Sequence, residues 1–158
     1  PPAAGEAWAD FFVLQEVPQD RLGTAINGLA RAESAFEHTL DYVKERKAFG
    51  QRVADFQNTQ FKLAELRTKL DVARAYVDRC LEMHLKKELD IPTAAGAKYW
   101  VTDLQCEIFD ECLQLHGGYG YMWEYPIARM YADARVQRIY GGTNEIMKTI
   151  IARALLAG

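Results

Sequence analysis

The chain has 158 residues, a formal net charge of −3 and 49% hydrophobic residues. Acidic and basic residues are mixed along it, so no strong positive field attracts nucleic acid or an anionic membrane. Its apolar runs fall short of the roughly 18 residues that a membrane span needs, and its N-terminus lacks a secretion signal. We therefore expect an intracellular soluble protein from a bacterial cytoplasm or an organelle matrix, without a nucleic-acid partner or a membrane span.

Three cysteines, Cys80, Cys106 and Cys112, are spaced without a Cys-x-x-Cys pair and lie on segments of helical pattern. Small apolar thiols of this kind are typical of protein interiors in a reducing compartment. We expect buried free thiols and no metal site.

Residues 1–16 are interpreted as the tail of a preceding domain or a linker, and residues 17–158 as one helical domain. The aromatic residues Trp8, Phe11 and Phe12 fit a short extended arm. Pro18 suits the first turn of a helix, because its missing N–H would be unpaired there in any case.

Apolar residues then recur at steps of three and four, the period of an amphipathic helix. The first stripe ends near Gly50, the second has a nearly strict 3-4 repeat, and the third follows Asp90, a helix start signal. The stripes are Leu22, Ile26, Leu29, Ala32, Phe36, Leu40 and Val43; Phe56, Gln60, Leu63, Leu66, Leu70, Ala73, Val77 and Leu81; and Ala97, Val101, Leu104, Ile108, Cys112 and Leu115.

Glycines at 117–120 end the third helix, and a short helix is predicted over residues 126–134. A break at Gly141-Gly142 precedes a final helix, with Thr143 as its N-cap. The apolar residues of that helix are Ile146, Ile150, Ile151 and Leu155. No alternating strand pattern occurs. Long helices with short connections predict an all-α protein, an up-down four-helix bundle whose last helix is split by the glycine break.

Both glycine segments are open to two interpretations. Gly117-Gly118-Tyr119-Gly120 leaves amides free for a pyrophosphate or a partner loop, but an ordinary helix stop is favoured from the glycines alone. Gly141-Gly142-Thr143 precedes a helix N-terminus, where an anion can bind. Tyr119, Tyr121, Trp123 and Tyr125 either line a pocket or pack against the end of the bundle.

Charged residues near these segments have ordinary explanations as well. Arg46 and Lys47 complement the dipole at the end of the first helix, and Asp20 is favoured in its first turn. His116 lies beside the glycines, but a lone histidine is more often structural, and we assign it no chemistry.

Three segments together resemble the C-terminal domain of the acyl-CoA dehydrogenases, from about Val17 to the end of the chain. They are Arg46-Lys-Ala-Phe-Gly50, Gln114-Leu-His-Gly-Gly-Tyr-Gly120 and Arg138-Ile-Tyr-Gly-Gly-Thr-Asn-Glu-Ile146. The resemblance implies an FAD cofactor, an acyl-CoA substrate and a homodimer or homotetramer. It also implies electron-transferring flavoprotein as the usual electron acceptor.

The resemblance assigns cofactor contacts residue by residue. Arg46 would reach the FAD pyrophosphate and Phe49 would pack on the cofactor, while Gln57, Gln114, Gly117 and Gly118 would touch the FAD of a neighbouring subunit. Thr143 and Glu145 would approach the diphosphate and adenosine portion. Tyr140 and Gly141 would lie at the substrate.

The implied reaction is α,β-dehydrogenation of an acyl-CoA to a trans-2-enoyl-CoA, which needs a carboxylate within reach of the α-proton. Many members have that glutamate at the position of Gly141. The long-chain and isovaleryl-type branch, which is more similar, has it before an Arg-Leu pair in the first helix, and Asp20 occupies that place. Asp20 is the candidate base, one methylene shorter than glutamate, and Arg21 would accompany the base or the substrate.

Two functions from different classes fit these residues. The first is the C-terminal FAD-binding and oligomerisation domain of an acyl-CoA dehydrogenase, inactive as an isolated domain. The second is a non-catalytic partner or assembly subunit with the same bundle but no working base. A plain helical scaffold would leave the glycine, arginine and glutamine positions unexplained.

Overall fold

The structure, a computed structural model, describes the backbone of residues 4–157 and the side chains of residues 18–157. These residues form five α-helices, a two-stranded ladder and three short 3-10 helices. The helices are α1 (Ala4–Glu45), α2 (Gln57–Leu85), α3 (Ile91–His116), α4 (Pro126–Ala134) and α5 (Asn144–Leu156), and the strands are β1 (Lys47–Ala48) and β2 (Gln51–Arg52). The all-α prediction is confirmed.

Helix α3 is the centre of the bundle and packs against the other four helices. Arg74 and Arg67 of α2 pair with Glu33 and Glu37 of α1, in reversed order, so these two helices are antiparallel. Lys62 and Lys69 of α2 likewise pair with Glu111 and Glu107 of α3. Helices α1 and α3 therefore run parallel, and their N-termini lie at the same end of the bundle.

The core follows the predicted stripes closely, because apolar residues at helical spacing are buried together. The third stripe is buried from Ala97 to Cys112, and Leu66, Leu70, Ala73 and Val77 of the second stripe are buried as well. Three assignments were wrong. Ile26, Gln60 and Leu81 are exposed, and the smaller residues Ala25, Thr59 and Cys80 beside them are buried in their place.

The predicted start of the first helix was also wrong. Helix α1 begins at Ala4, and Pro18 lies inside it. A proline inside a helix removes one backbone hydrogen bond, but the helix continues through this one. The backbone of the segment read as an extended arm is thus helical, whereas the side chains of Trp8, Phe11 and Phe12 lie outside the described residues.

Two predicted helix starts are confirmed by their caps. The Asp90 carboxylate accepts a 2.7 Å hydrogen bond from the Thr93 N–H at the start of α3. The Thr143 hydroxyl accepts one from the Ile146 N–H at the start of α5. Such side-chain caps pair N–H groups that have no partner within the helix.

Helix α5 is less buried than its apolar stripe predicts. Ile146 and Leu155 are exposed, while Met147 and the polar Asn144 are buried against α3. Of the thiols, Cys80 and Cys112 are buried and Cys106 is half-buried, and all three are free. None of the described helices has the length and apolar character that crossing a membrane requires.

A short β-hairpin follows α1, which the sequence pattern did not predict. Lys47 pairs with Arg52 and Ala48 with Gln51, and Phe49 and Gly50 form the two-residue loop. Both loop residues have positive φ, 51° and 83°, as in the turns that suit such hairpins. Two-residue strands are too short to show an alternating pattern.

Candidate functional site

The predicted site residues lie at the two opposite ends of the bundle. The hairpin end comprises residues 42–57 and 114–123, and the turn end comprises residues 20–24, 98–103 and 138–145. Asp20 and Glu45 mark the two ends along α1, and at 1.5 Å per residue they are roughly 38 Å apart. The two groups of predicted cofactor contacts are therefore separated by most of the length of the bundle.

At the hairpin end, an open cleft of about 580 Å³ lies between the end of α1 and the end of α3. Four predicted residues, Arg46, Gln114, Gly117 and Gly118, line this cleft together with Tyr119. Gly117 has φ of 60°, which ends α3 and turns the chain along the cleft wall. The cleft thus combines a cation, an amide side chain and exposed glycine backbone, which suits an anionic ligand with a planar ring.

Stacked rings hold this cleft in shape. The Arg46 guanidinium lies 4.7 Å from the centroid of the Tyr119 ring, a cation–π contact. Tyr42 stacks on His116 at 4.1 Å, and its hydroxyl donates to the His116 carbonyl. His116 Nδ1 bonds the Cys112 carbonyl at 2.8 Å, and burial lowers the pKa of this imidazole. These contacts let His116 hold the wall of the cleft.

The tip of the hairpin projects Phe49 into solvent. Its side chain is 97% exposed, and only the ring of Phe56 lies edge-on to it. Positive φ in a bulky residue costs on the order of 1–3 kcal/mol and is often kept where the side chain is used. Gln57 is exposed at the start of α2 and does not line the cleft.

At the turn end, the chain reverses at two glycines. Gly141 and Gly142 have φ of 66° and 88°, and Thr143 then caps α5. Glu145 lies in the first turn of α5. A hydrogen bond from its own backbone N–H, with a second from the Thr143 hydroxyl, holds the pKa of its carboxyl below the ordinary value. The segment has the geometry of an anion-binding helix N-terminus.

The face of α1 that carries Asp20 lies against this turn. A Cβ atom on Gly141 would be 3.7 Å from the Thr24 hydroxyl. That hydroxyl donates to the Asp20 carbonyl at 3.0 Å, and residues four apart share a helix face. Asp20 is exposed. It lies one helical turn from Thr24, the residue that a side chain at position 141 would approach.

Arg21 follows Asp20 and is half-buried. Its Nε and Nη1 atoms are buried without a hydrogen-bond partner among the described residues, and burial lowers the pKa of the group. Buried polar atoms are nearly always paired in folded proteins. Two unpaired donors beside the candidate base suit an acceptor oxygen of a ligand.

Below the turn lies a buried polar network that the sequence did not predict. Lys98 of α3 is 0% exposed, and its ammonium donates to the Gly142 carbonyl at 2.7 Å and to Asn144 Oδ1 at 2.8 Å. The Asn144 amide donates to the Thr102 hydroxyl and to the Asp103 carboxylate. Asp103 also pairs with Arg138 at 2.6 Å. The turn is thus tied to α3 from both sides.

This arrangement supports binding of an anionic ligand at each end and proton abstraction at the turn end. Among residues 18–157, no group of three or more histidine, cysteine or acidic side chains could hold a metal ion. The orphaned donors of Arg21 and the free glycine backbone fit a dinucleotide and an acyl carbonyl, both rich in acceptor oxygens.

Comparison with protein families gives one match over nearly the whole chain. Residues 12–156 match the family described as acyl-CoA dehydrogenase, C-terminal domain.

Individual relatives agree with this match. The chain is 56% identical over 147 residues to the mitochondrial long-chain specific acyl-CoA dehydrogenase of Mus musculus, covering 93% of this chain and 34% of that protein. It is 39% identical over 136 residues to the caffeyl-CoA reductase-Etf complex subunit CarC of Acetobacterium woodii, covering 86% and 36%.

A solved acyl-CoA dehydrogenase from Geobacillus kaustophilus has a TM-score of 0.90 and 46% identity, covering 92% of this chain and 38% of its own. The chain spans about a third of the length of the curated relatives it matches.

Proposed function

Because the chain belongs to the acyl-CoA dehydrogenase family, as its C-terminal domain, we propose that it is the FAD-binding and oligomerisation domain of an FAD-dependent acyl-CoA dehydrogenase. The whole enzyme converts an acyl-CoA to a trans-2-enoyl-CoA. One observation supports this most strongly: the face of α1 that bears Asp20 lies against Gly141, where many members of the family have their base.

The hairpin end holds FAD through the cleft between α1 and α3. Arg46 pairs with the diphosphate, Gln114 and the backbone at Gly117 and Gly118 contact the nucleotide, and Phe49 packs on it. The open cleft and the exposed Phe49 ring support this role, because both are surfaces that a ligand can cover. Gln57 contributes from the start of α2.

The turn end holds FAD through Thr143 and Glu145. Both ends would then approach a diphosphate, yet they lie roughly 38 Å apart along α1, farther than one flavin dinucleotide extends. The two ends of a single chain therefore serve two different flavins. Each flavin site needs two copies of the chain, so the enzyme is a homodimer or a homotetramer.

Asp20 removes the α-proton of the acyl-CoA in this scheme. Gly141 leaves room for the substrate in front of α1, Tyr140 borders it, and the unpaired donors of Arg21 bind an acceptor oxygen. A carboxylate on a rigid helix face is held in a fixed direction, which proton abstraction requires. FAD, when bound, would supply the acceptor for the hydride of the β-carbon.

Partner and location follow from the relatives. One relative is a subunit of an Etf complex, which supports electron-transferring flavoprotein as the electron acceptor. Another is mitochondrial, which supports an organelle matrix, with a bacterial cytoplasm as the alternative. Residues 1–16 would connect to a preceding domain that completes the site, so the isolated domain would have no turnover.

A non-catalytic partner or assembly subunit is the second candidate. It is favoured by the glycine at position 141 and by an aspartate in place of the branch's glutamate at position 20. A shift of a reacting group by about 1 Å can cost on the order of 100-fold in rate, so the shorter side chain could leave the bundle without a working base.

Anaerobic titration of the full-length protein with acyl-CoA separates the two candidates. Loss of the visible flavin absorbance on addition of acyl-CoA, with enoyl-CoA as the product, supports the dehydrogenase. Bound flavin that no acyl-CoA reduces supports the non-catalytic subunit. A full-length protein that binds no flavin would contradict the dehydrogenase. The same titration on residues 1–158 alone is expected to show no reduction.

A further inference from the structure

A buried lysine under the glycine turn has no role in the function proposed above. Lys98 is fully buried in α3, although lysine is almost never fully buried without a partner. Its ammonium contacts a backbone carbonyl and an amide oxygen, Gly142 O and Asn144 Oδ1, and no carboxylate directly. Such a costly arrangement is kept where it fixes one conformation.

The charges around Lys98 come from three elements. Asp103 of α3 and Glu145 of α5 favour the ammonium, whereas Arg21 of α1 opposes it. Burial is the largest influence and lowers the pKa of Lys98. The carbonyl of Gly142 and the amide oxygen of Asn144 are therefore the contacts that compensate a desolvated charge.

The hydrogen bond to Gly142 also fixes the direction of the next amide. None of the described peptide bonds is cis, and in a trans peptide the C=O and N–H groups point in opposite directions. Since the Gly142 carbonyl points inward to Lys98, the Thr143 N–H points outward. The described part of the chain gives that N–H no backbone acceptor.

We propose that Lys98 is a positioning residue for the cofactor: by holding the Gly142 carbonyl and the Asn144 side chain, it aims the Thr143 N–H and the start of α5 at an anionic oxygen of FAD. This rests on the proposed function. Lys98 acts through the turn and does not itself touch the ligand.

The test compares three variants of the full-length protein. Lys98→Met removes the ammonium and keeps an unbranched apolar stem, and Lys98→Gln keeps an N–H donor on a shorter side chain. Ile108→Ala is the control, since Ile108 is fully buried in the same helix and lies about 15 Å from Lys98 along its axis. Urea unfolding first ranks the variants by stability.

Two measurements follow on the folded variants. The first is FAD affinity of the apoprotein by titration. Lys98→Met is expected to bind about tenfold more weakly, the usual effect of losing a hydrogen bond to a charged group. Lys98→Gln should recover part of the loss, and Ile108→Ala should bind like wild type. The second is amide exchange of the apoprotein, which should accelerate about tenfold at residues 145–147 in Lys98→Met and not in Ile108→Ala.

Three outcomes would overturn the inference. Wild-type affinity for FAD in Lys98→Met overturns it while the proposed function stands. An equal loss of FAD affinity in Ile108→Ala, at the same stability, would show that Lys98 only stabilises the fold. Absence of FAD binding in wild type overturns both proposals together. If Lys98→Met does not fold, the comparison rests on Lys98→Gln. That variant is expected to bind FAD more weakly than Ile108→Ala does.

Discussion

The two ends of the bundle are built in different ways. At the turn end, Lys98, Asn144 and Thr102 are buried and hydrogen-bonded to one another or to the backbone beneath the glycine turn. At the hairpin end, Phe49 is almost completely exposed, and Arg46 rests on a single tyrosine ring beside an open cleft. One end is therefore fixed by the chain itself, and the other presents surface that another molecule can cover.

This difference indicates how the functional residues of each end are held in position. A base must be held within a fraction of an ångström, and helix α1 with the pinned turn provides such rigidity. A nucleotide-binding cleft between two copies of a chain is completed only on assembly. We expect lesions at the turn end to affect catalysis and stability as well as FAD binding, and lesions at the hairpin end to affect FAD retention alone.

The largest expected effect is at Asp20. In the full-length enzyme, Asp20→Asn should lower kcat by about 100-fold or more, because general base catalysis contributes roughly that much. FAD content should stay normal, and steady-state turnover with an artificial electron acceptor measures the loss. Asp41→Asn, an exposed carboxylate on the same helix, is the control. Unchanged turnover in Asp20→Asn would remove Asp20 as the base.

The next effect tests how firmly the turn is fixed. Gly142→Ala should lower the free energy of unfolding by about 1–2 kcal/mol, because its φ of 88° is unfavourable for a residue with a Cβ and that Cβ would lie only 2.6 Å from Cε of the buried Met147. Gly23→Ala is the matched control, since Gly23 lies inside α1 and a Cβ there meets nothing within 4 Å. It should stabilise by roughly 0.5–1 kcal/mol. Urea denaturation measures the free energy of unfolding of both variants. Equal changes in the two would show that the turn does not require a glycine at position 142.

A smaller effect is expected at the hairpin end. Arg46→Met should weaken FAD binding roughly three- to tenfold, since it removes a charge-assisted contact in a solvent-exposed cleft. The unfolding midpoint should hardly change, because Arg46 is exposed. Equilibrium titration of the apoprotein measures the affinity, and Lys44→Met, two residues earlier on α1, is the control. A large loss of stability without a loss of affinity would assign Arg46 a structural role.

The smallest effect concerns the pH dependence of stability at the hairpin end. Burial lowers the pKa of His116 below its ordinary 6.5. Above pH 6.5 neither state binds the proton, so stability is at its full value. As the pH falls below 6.5, the unfolded chain takes up the proton before the folded chain does, and stability is lost until the folded pKa is passed.

Chemical denaturation at pH 7.5 and at pH 5.5 checks this sign. Stability should decline less between those pH values in His116→Gln than in wild type. His84→Gln, on α2, is the control and should decline as wild type does. A steeper decline in His116→Gln would show that the imidazole is protonated in the folded state.

Much of the fold could be predicted from short-range patterns. The Asp90 and Thr143 caps, the end of α3 and the limits of α4 follow from residues within one helical turn of each other. Apolar spacing placed most of the core. It failed at Ile26, where the small Ala25 is buried beside it, because spacing does not determine which of two neighbouring residues faces the core.

The remaining features depend on contacts between distant residues. Lys98 bonds Asn144, which lies 46 residues away, and a lysine in an apolar stripe gives no sign of being buried. The unpaired donors of Arg21 and the approach of Thr24 to Gly141 also depend on how α1 packs against the turn. The resemblance to a family named the site residues, whereas their division between two ends required the three-dimensional arrangement.

The most direct test of that division uses hybrid dimers of the full-length protein. One subunit carries Asp20→Asn at the turn end, and the other carries Arg46→Glu with Gln114→Ala at the hairpin end. Two affinity tags isolate the mixed dimer, which is assayed without added FAD. If each flavin lies between the turn end of one subunit and the hairpin end of the other, one intact site remains, and about half of the wild-type activity is expected. A hybrid no more active than either parent would show that both ends serve the same flavin.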